Sequence, residues 1–274
     1  MHLTAHLSGG ACWGGGYRSD GLRFPWACGK CTKNALASVD GCSTCLCAPR
    51  GPSLPAAAAA QADAPPPTCQ PPGVAASAIL CRVLRTRGTV APSNEALLEA
   101  FRRVPREEFV PPEWRNRAWS DQALPLAEGS TISQPSMIAI MLDTLDVSPG
   151  MRAVEVGSGS GYVLALLEEL GVEAVGVEII PHVANRSLLT LRRLKYKADV
   201  LQGNAAEMEW NEKFDRVLFS AAVEEVPQWS LDLLKEGGFV LAPVGDRSSQ
   251  ELVRAYRDRT ERTRQYCRFV PFQP

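Results

Sequence analysis

Three glycines at alternate positions, Gly157, Gly159 and Gly161, follow directly on the run Ala-Val-Glu-Val at residues 153–156. The run predicts a buried strand, and the mostly apolar residues 163–170 predict a helix after the glycines. A strand, a glycine turn and a helix form the first half of a βαβ unit of the kind that binds nucleotides. Glycine allows the tight turn and leaves no Cβ in the way of a ligand. The alternative interpretation is a strand-to-helix turn that needs glycine only for its shape.

Two acidic residues narrow the choice of ligand. Glu155 precedes the first glycine, and Glu178 ends the next predicted strand, roughly 20 residues on, where a carboxylate holds ribose hydroxyls. A carboxylate at Glu155 repels a pyrophosphate, whereas S-adenosylmethionine has no phosphate and carries a sulfonium and an ammonium group. The spacing G-x-G-x-G also departs from the dinucleotide pattern G-x-G-x-x-G. These residues favour S-adenosylmethionine and disfavour a dehydrogenase.

The chain around these residues alternates predicted strands and helices. This alternation predicts an α/β fold with a doubly wound, mostly parallel sheet and an antiparallel edge. Helices are predicted at Pro135–Leu145, 163–170, 181–195 and 225–235, and strands at 153–156, Glu173–Glu178, Asp199–Gln202, 214–220 and 239–244, with a final strand pair at 252–256 and 265–270.

The candidate ligand-binding residues all fall where predicted strands end. They are the glycine loop, Glu178, Gly203 with Asn204, and Ser220. In sheets of this class ligands bind beyond the carboxyl ends of the strands. The sequence therefore predicts that these residues share one rim of the sheet.

Residues 1–75 differ in composition from the rest of the chain. They are rich in Gly, Ala, Pro, Ser and Cys and show no amphipathic period, which predicts a disordered extension before a folded domain at 76–274. An organelle transit segment and a misassigned start codon are the alternative interpretations. The pairs Cys28/Cys31 and Cys42/Cys45 resemble a zinc knuckle, but no apolar pattern surrounds them, so we predict no metal site.

Composition and charge exclude several classes of function. The 274 residues carry a net charge of −1, so no overall field points to nucleic acid, and no apolar run has the length of a membrane span. Eight of the nine cysteines lie at or before Cys81, which fits a reducing compartment and a fold without disulfides. We expect a cytoplasmic monomer that binds neither nucleic acid nor membrane.

Four stretches, at residues 104–111, 124–135, 154–162 and 233–252, together resemble one known family, the protein-L-isoaspartate (D-aspartate) O-methyltransferases. Residues 104–111, VPREEFVP, are similar to its "VPRexFVP", and residues 124–135, LPLAEGSTISQP, to its "LPI…GQTISQP". Residues 154–162, VEVGSGSGY, resemble "LEIGTGSGY", and residues 233–252 resemble "LKPGG…PVG…QxL". The resemblance covers residues 76–274 in order.

The resemblance implies a methyltransferase-type Rossmann fold, the cofactor S-adenosylmethionine and a substrate. The substrate is the free carboxyl group of L-isoaspartyl (and D-aspartyl) residues in damaged proteins, whose methylation initiates repair. Ser133 is implied as the active-site residue. The implied cofactor-binding residues are Ser130, Thr131, Ile132, Ser133, Glu155, Val156, Gly157, Ser158, Gly159, Gly161, Glu178, Asn204, Ala205 and Gln250.

The sequence departs from the family pattern at two places. Asn204-Ala205 replaces the usual Asp-Gly pair beside the adenine, which removes a charge but keeps a hydrogen-bonding side chain. Glu224 and Glu225 replace apolar residues. These changes leave open a methyltransferase of the same fold acting on another carboxylate or small molecule. A non-catalytic relative that binds the cofactor or damaged protein is the third hypothesis.

Ser133 has two interpretations. A carboxyl group has a pKa of about 4 and is already ionised at neutral pH, so methyl transfer to it needs no general base. We therefore expect the Ser133 hydroxyl to position the substrate carboxylate, near a helix N-terminus at Pro135 that favours an anion. The alternative is that Ser133 only caps that helix.

Overall fold

The computed structural model describes residues 15–17, 23–25 and 92–273. The chain divides into two units, Met1–Pro65 and Pro66–Pro274. In the first unit, β1 (Gly15–Tyr17) pairs antiparallel with β2 (Arg23–Pro25), within the segment whose composition predicts disorder. The rest of that predicted extension, including both cysteine pairs, lies outside the described residues, as do residues 76–91.

The second unit is built on a sheet of seven strands. A separate two-stranded hairpin, β3 (Leu124–Pro125) and β4 (Thr131–Ile132), precedes the sheet in the chain. The strands of the large sheet are β5 (Arg152–Val156), β6 (Glu173–Glu178), β7 (Asp199–Gln202), β8 (Phe214–Phe219), β9 (Leu234–Gly245), β10 (Gln250–Ala255) and β11 (Thr260–Cys267).

The order of the strands is β11-β10-β9-β8-β5-β6-β7. Strands β5 to β9 pair in parallel, and β10 is antiparallel to both of its neighbours. The predicted doubly wound, mostly parallel sheet with an antiparallel edge is therefore confirmed. The chain winds outward from β5 in one direction and from β8 in the other, so the point where the winding reverses lies between these two strands. Ligands bind at such a point in sheets of this class.

Helices cover both faces of this sheet. They are α1 (Pro92–Arg103), α2 (Pro135–Leu145), α3 (Tyr162–Glu169), α4 (Pro181–Arg193) and the short α5 (Gln228–Asp232). Successive side chains of a strand point to opposite faces. Accordingly, Phe239 and Leu241 of β9 join the hydrophobic core that includes α1 to α4, while Val240 and Ala242 join the core that Trp229 of α5 packs against.

The prediction of a helix at 225–235 is wrong except for its central turn. Only Gln228–Asp232 is helical, and β9 begins at Leu234, two residues later. The reason is tertiary: the Phe214 amide donates to the Leu233 carbonyl oxygen at 2.8 Å, and Phe214 pairs with Leu234. This pairing draws the residues before the predicted strand into the sheet, with Gly237 at a φ of +73° accommodating the distortion.

The final strand pair is also shifted from its prediction. β10 and β11 each begin earlier than expected, and residues 268–270 lie beyond the sheet's last strand. These residues belong to a C-terminal segment that runs beside Ala222 instead. The Ala222 amide donates to the Val270 carbonyl oxygen at 2.8 Å, and the Phe272 amide donates to the Ala222 carbonyl oxygen at 2.7 Å.

Among the helices of residues 92–273, none combines the length and the apolar content that a membrane span requires.

Candidate functional site

A cavity of about 240 Å³ opens at the carboxyl ends of β5, β6, β7 and β8. These strand ends, the β3–β4 hairpin and the C-terminal segment form its walls. Eight of the predicted cofactor-binding residues line it: Ser130, Thr131, Val156, Gly157, Gly159, Glu178, Asn204 and Ala205. The prediction that the strand-end residues share one rim is confirmed by this arrangement.

The glycine loop passes over the end of β6. The amides of Gly157 and Ser158 both donate to the Val177 carbonyl oxygen, at 2.8 and 3.0 Å. Gly159 has a φ of +50°, and a Cβ placed there would lie 3.6 Å from Leu126 of the hairpin. The loop therefore lies between β6 and the hairpin, with its backbone facing the cavity.

Glu178 is buried and binds the glycine loop directly. Its Oε2 accepts a 2.8 Å hydrogen bond from the Gly159 amide, and its Oε1 accepts one of 3.0 Å from the Ile180 amide. Each carboxylate oxygen has a second lone pair, so both remain able to accept from ribose hydroxyls.

Glu155 is buried with one oxygen satisfied and one free. The Ser220 hydroxyl donates to Oε1 at 2.6 Å, whereas Oε2 has no partner among the described residues. Burial raises the pKa of Glu155 to about 8, the Ser220 hydrogen bond opposes this shift, and the Glu178 carboxylate adds to it. A buried acceptor without a donor is costly, and the ammonium group of a bound cofactor would satisfy it.

A smaller cavity of about 30 Å³ adjoins the first and contains the remaining predicted residues of this region. Ile132, Ser133, Glu155 and Ser158 line it, and Gly157 and Ser220 line both cavities. Ser133 is half-buried, and its hydroxyl forms no hydrogen bond with any described residue. Ser133 and Glu155 therefore line the same small space.

The helix-cap interpretation of Ser133 is wrong. The N-cap residue of α2 is Gln134, and the Ser136 amide in the first turn donates to Asp121 Oδ1 at 3.0 Å. The anion at this helix N-terminus is thus the Asp121 side chain, and not the substrate carboxylate that the sequence predicts there. It follows that the substrate carboxylate needs a different source of positive charge, and that the Ser133 hydroxyl is available to the site.

Asn204 lies at the far end of the cavity, after β7. Its Oδ1 accepts a 3.0 Å hydrogen bond from the Ala206 amide, which fixes the side chain in a turn. The carboxamide nitrogen remains a donor, so this side chain can still contact the edge of a purine. The loss of charge relative to the family pattern therefore leaves a hydrogen-bonding group in place.

Two predicted residues lie away from the cavity. A Cβ on Gly161, whose φ is +80°, would lie 2.4 Å from the Ser187 hydroxyl oxygen, so this glycine serves the close packing of α3 on α4. Gln250 is buried beside the C-terminal segment, where its Oε1 accepts a 2.8 Å hydrogen bond from the Phe269 amide. Gln250 thus holds the segment that forms one cavity wall.

A third cavity, of about 610 Å³, adjoins the C-terminal segment. Gln250, Glu224 and Glu225 line it, and it shares Pro271 and Phe272 with the first cavity. The two acidic residues that depart from the family pattern are therefore exposed beside the site rather than inside it. A larger groove of about 730 Å³ lies at the amino ends of β5 and β6, away from the ligand-binding rim.

Several lining residues were absent from the predicted set. Glu128 lies at the tip of the hairpin, and the C-terminal residues 270–273 close one side of the cavity. Ser220 was placed at the rim but was not counted as a site residue, although its position at the end of β8 was a sufficient signal. The sequence contains no comparable signal for residues 270–273, because their position depends on the bridge to Ala222.

The two adjoining cavities are lined by acidic and not by basic side chains. Among the described residues that line them, the acidic side chains are Glu128, Glu155 and Glu178, and there is neither lysine nor arginine. A pyrophosphate would find no counter-charge here, whereas a sulfonium and an ammonium would be stabilised. The residues present therefore fit S-adenosylmethionine.

Comparison with known proteins agrees with this geometry. The family model for protein-L-isoaspartate(D-aspartate) O-methyltransferases matches residues 76–274. The chain belongs to this family. A protein-L-isoaspartate O-methyltransferase of Rhodopseudomonas palustris strain BisB5 is 41% identical over 194 residues, which cover 69% of this chain and 88% of the relative. One from Methanopyrus kandleri is 42% identical over 188 residues, covering 65% of this chain and 83% of the relative.

Solved structures of related proteins show the same fold. A beta-aspartate methyltransferase of Plasmodium falciparum, solved in complex with S-adenosyl-L-homocysteine, superposes with a TM-score of 0.61 at 24% identity. The match covers 72% of this chain and 97% of that chain. The predicted family and the methyltransferase-type Rossmann fold are both confirmed.

Proposed function

We propose that this protein transfers a methyl group from S-adenosylmethionine to the free carboxyl group of L-isoaspartyl and D-aspartyl residues in damaged proteins, the step that initiates their repair. Membership of the family supports this activity. The structural observation that carries it is the half-buried Ser133 hydroxyl, without a partner among the described residues, beside a cavity lined by acidic and not by basic side chains.

Three side chains are placed to hold the cofactor. Glu178 would accept from the ribose hydroxyls, the Asn204 carboxamide would contact the adenine edge, and the free Oε2 of Glu155 would accept from the ammonium group. When bound, S-adenosylmethionine supplies a methyl group on a sulfonium centre. Glycine backbone between β5 and α3 allows the ligand to approach closely.

Ser133 orients the substrate. Its hydroxyl would donate to one oxygen of the substrate carboxylate and so fix the orientation of the carboxylate in the site. The substrate carboxylate is ionised at neutral pH and gives up no proton when the ester forms, so the site requires no general base. Most of the rate enhancement then comes from alignment of two charged reactants in a space that excludes water.

Methyl transfer to matched peptides tests this proposal. Radiolabelled S-adenosylmethionine is supplied with two peptides that differ only in an isoaspartyl or an aspartyl residue. Label on the isoaspartyl peptide alone supports the proposed substrate. Equal label on both peptides would point to a broader carboxylate methyltransferase. Binding of S-adenosylhomocysteine by calorimetry without label on either peptide would identify a non-catalytic relative.

Several finer expectations remain proposals. They are a cytoplasmic location, the absence of nucleic-acid and membrane partners, a monomeric state and the domain boundary at residues 75 and 76. Organelle transit by the extension is the alternative for location. Size-exclusion chromatography with light scattering measures the oligomeric state.

A further inference from the structure

Arg106 is a fully buried arginine in the turn Arg106–Glu108 that precedes the site. Its Nε donates a 2.7 Å hydrogen bond to the Ala118 carbonyl oxygen, and its Nη2 donates one of 2.7 Å to the carbonyl oxygen of Ser133. The planar fork of the guanidinium thus joins two loops that lie 15 residues apart in the chain. One of these loops carries the Ser133 hydroxyl.

Within the described residues, no ion pair neutralises the charge of Arg106. Its Nη1 also has no hydrogen-bond partner there. Burial lowers the pKa of Arg106 to about 10, while the fields of Tyr162 and Asp121 oppose the shift, so the group stays charged at neutral pH. A buried, unpaired cation is costly, and an apolar side chain of similar volume is often more stable in such a place.

The surroundings of Arg106 connect Ser133 with the glycine loop. The guanidinium carbon lies 5.0 Å from the ring centroid of Tyr162, the first residue of α3. Three residues after Ser133, Asp121 accepts a hydrogen bond from the Ser136 amide. Ser133 and Ser136 are therefore both held by side chains from residues 106–121.

We propose that Arg106 is a positioning residue for methyl transfer, which acts by holding the Ser133 carbonyl so that the Ser133 hydroxyl meets the substrate carboxylate. This inference rests on the proposed function. The positive charge of the Arg106 guanidinium, next to the Ser133 carbonyl, also favours a carboxylate substrate over a neutral one. The N-terminus of α2 cannot supply this preference, because the Asp121 carboxylate already occupies it. Arg106 does not line the cofactor cavity, so its effect is on turnover and not on cofactor affinity.

The test compares two buried arginines. Arg216 is also buried and donates to backbone carbonyl oxygens, those of Leu145 at 2.7 Å and Asp146 at 2.8 Å, at the far end of α2. Arg106→Lys removes the fork, because one ammonium cannot reproduce its planar two-point geometry. We expect kcat to fall about tenfold and the S-adenosylhomocysteine Kd to change by less than about twofold. Arg216→Lys should leave kcat within about twofold.

Arg106→Gln provides a second variant, and saturating S-adenosylmethionine stabilises the folded form of each variant during the assay. Equal kcat losses in Arg106→Lys and Arg216→Lys at matched folded fractions would overturn the inference. So would a loss in cofactor affinity as large as the loss in kcat.

A double-mutant cycle with Ser133→Ala separates positioning from a general structural effect. If Arg106 acts through Ser133, Arg106→Lys should cost less than about twofold in kcat in the Ser133→Ala background. The same tenfold cost in both backgrounds would show that Arg106 acts independently of Ser133. These ratios hold for any carboxylate substrate that the wild type methylates, whereas the wild-type preference for isoaspartyl peptide tests the proposed function.

Discussion

The Ser220 hydroxyl and the Glu155 carboxylate are joined by a 2.6 Å hydrogen bond that links the ends of β8 and β5. The bond satisfies Oε1 and leaves Oε2 buried without a partner among the described residues. Because burial raises the pKa of Glu155 to about 8, the side chain is mostly protonated at pH 7 before a ligand binds. In the free site the Glu155 carboxyl group therefore holds a proton, which a bound cation should displace.

Cofactor binding should release protons near pH 7. An ammonium group beside Oε2 favours the carboxylate form, so the pKa of Glu155 falls on binding and up to about one proton leaves. Calorimetric titration with S-adenosylhomocysteine in buffers of different ionisation enthalpy measures this release. Glu155→Gln, which cannot ionise, is the control and should release none. Equal proton release by the two proteins would contradict the assigned role of Glu155.

Glu178→Ala should weaken cofactor binding by at least about tenfold. The side chain offers charge-assisted hydrogen bonds to ribose worth about 1.5–3 kcal/mol each, and it also holds the Gly159 amide. Glu173 begins the same strand and is exposed, so Glu173→Ala should leave affinity unchanged. Calorimetry gives both constants, and an unchanged Kd for Glu178→Ala would show that the carboxylate does not contact the cofactor.

Ser133→Ala should reduce kcat about ten- to a hundredfold while the cofactor Kd changes little. The substitution removes one or two positioning hydrogen bonds, worth about 1–3 kcal/mol, and leaves the groups that hold the cofactor in place. Because Asp121 caps α2, Ser133→Ala removes no helix cap. We therefore expect the melting temperature to fall by less than it would if a cap were lost. A variant with wild-type kcat would remove Ser133 from the reaction.

Gly161→Ala should destabilise the fold more than Gly150→Ala. Both glycines have positive φ, +80° and +84°, so each alanine is strained by its backbone. Only at Gly161 would the new Cβ meet buried atoms, Ser187 Oγ at 2.4 Å and Leu191 Cδ1 at 3.2 Å. We expect an extra loss of about 1–3 kcal/mol in the free energy of unfolding, measured by urea denaturation. Equal losses would mean that α3 and α4 separate without cost.

Removal of residues 1–75 should leave cofactor affinity nearly unchanged. Among the described residues, those that line the two adjoining cavities all lie from Glu128 to Gln273. The composition of the removed segment also cannot build a hydrophobic core. Calorimetry on the truncated and complete chains measures the difference. Loss of binding in the truncated protein would assign the extension a part in the fold or the site.

The sequence by itself determined the class of sheet, the glycine loop and the acidic partner at Glu178. These features are local: a β-branched run followed by glycines needs no distant contact to be recognised, and Glu178 lies one strand further along. The bounds of β6 and β7 agree with their predictions for the same reason. The short motif around Ser133 indicated the family from the sequence alone, because its residues are contiguous.

Tertiary structure decided the features that depend on residues far apart in the chain. The start of β9 was set by pairing with Phe214, against the helical pattern of residues 225–235. The cap of α2 came from Asp121, 15 residues before Ser136, and not from the adjacent Ser133. Likewise, Arg106 reaches the Ser133 carbonyl across 27 residues. Such hydrogen bonds form only once the fold has brought distant segments of the chain together, so no local pattern in the sequence records them.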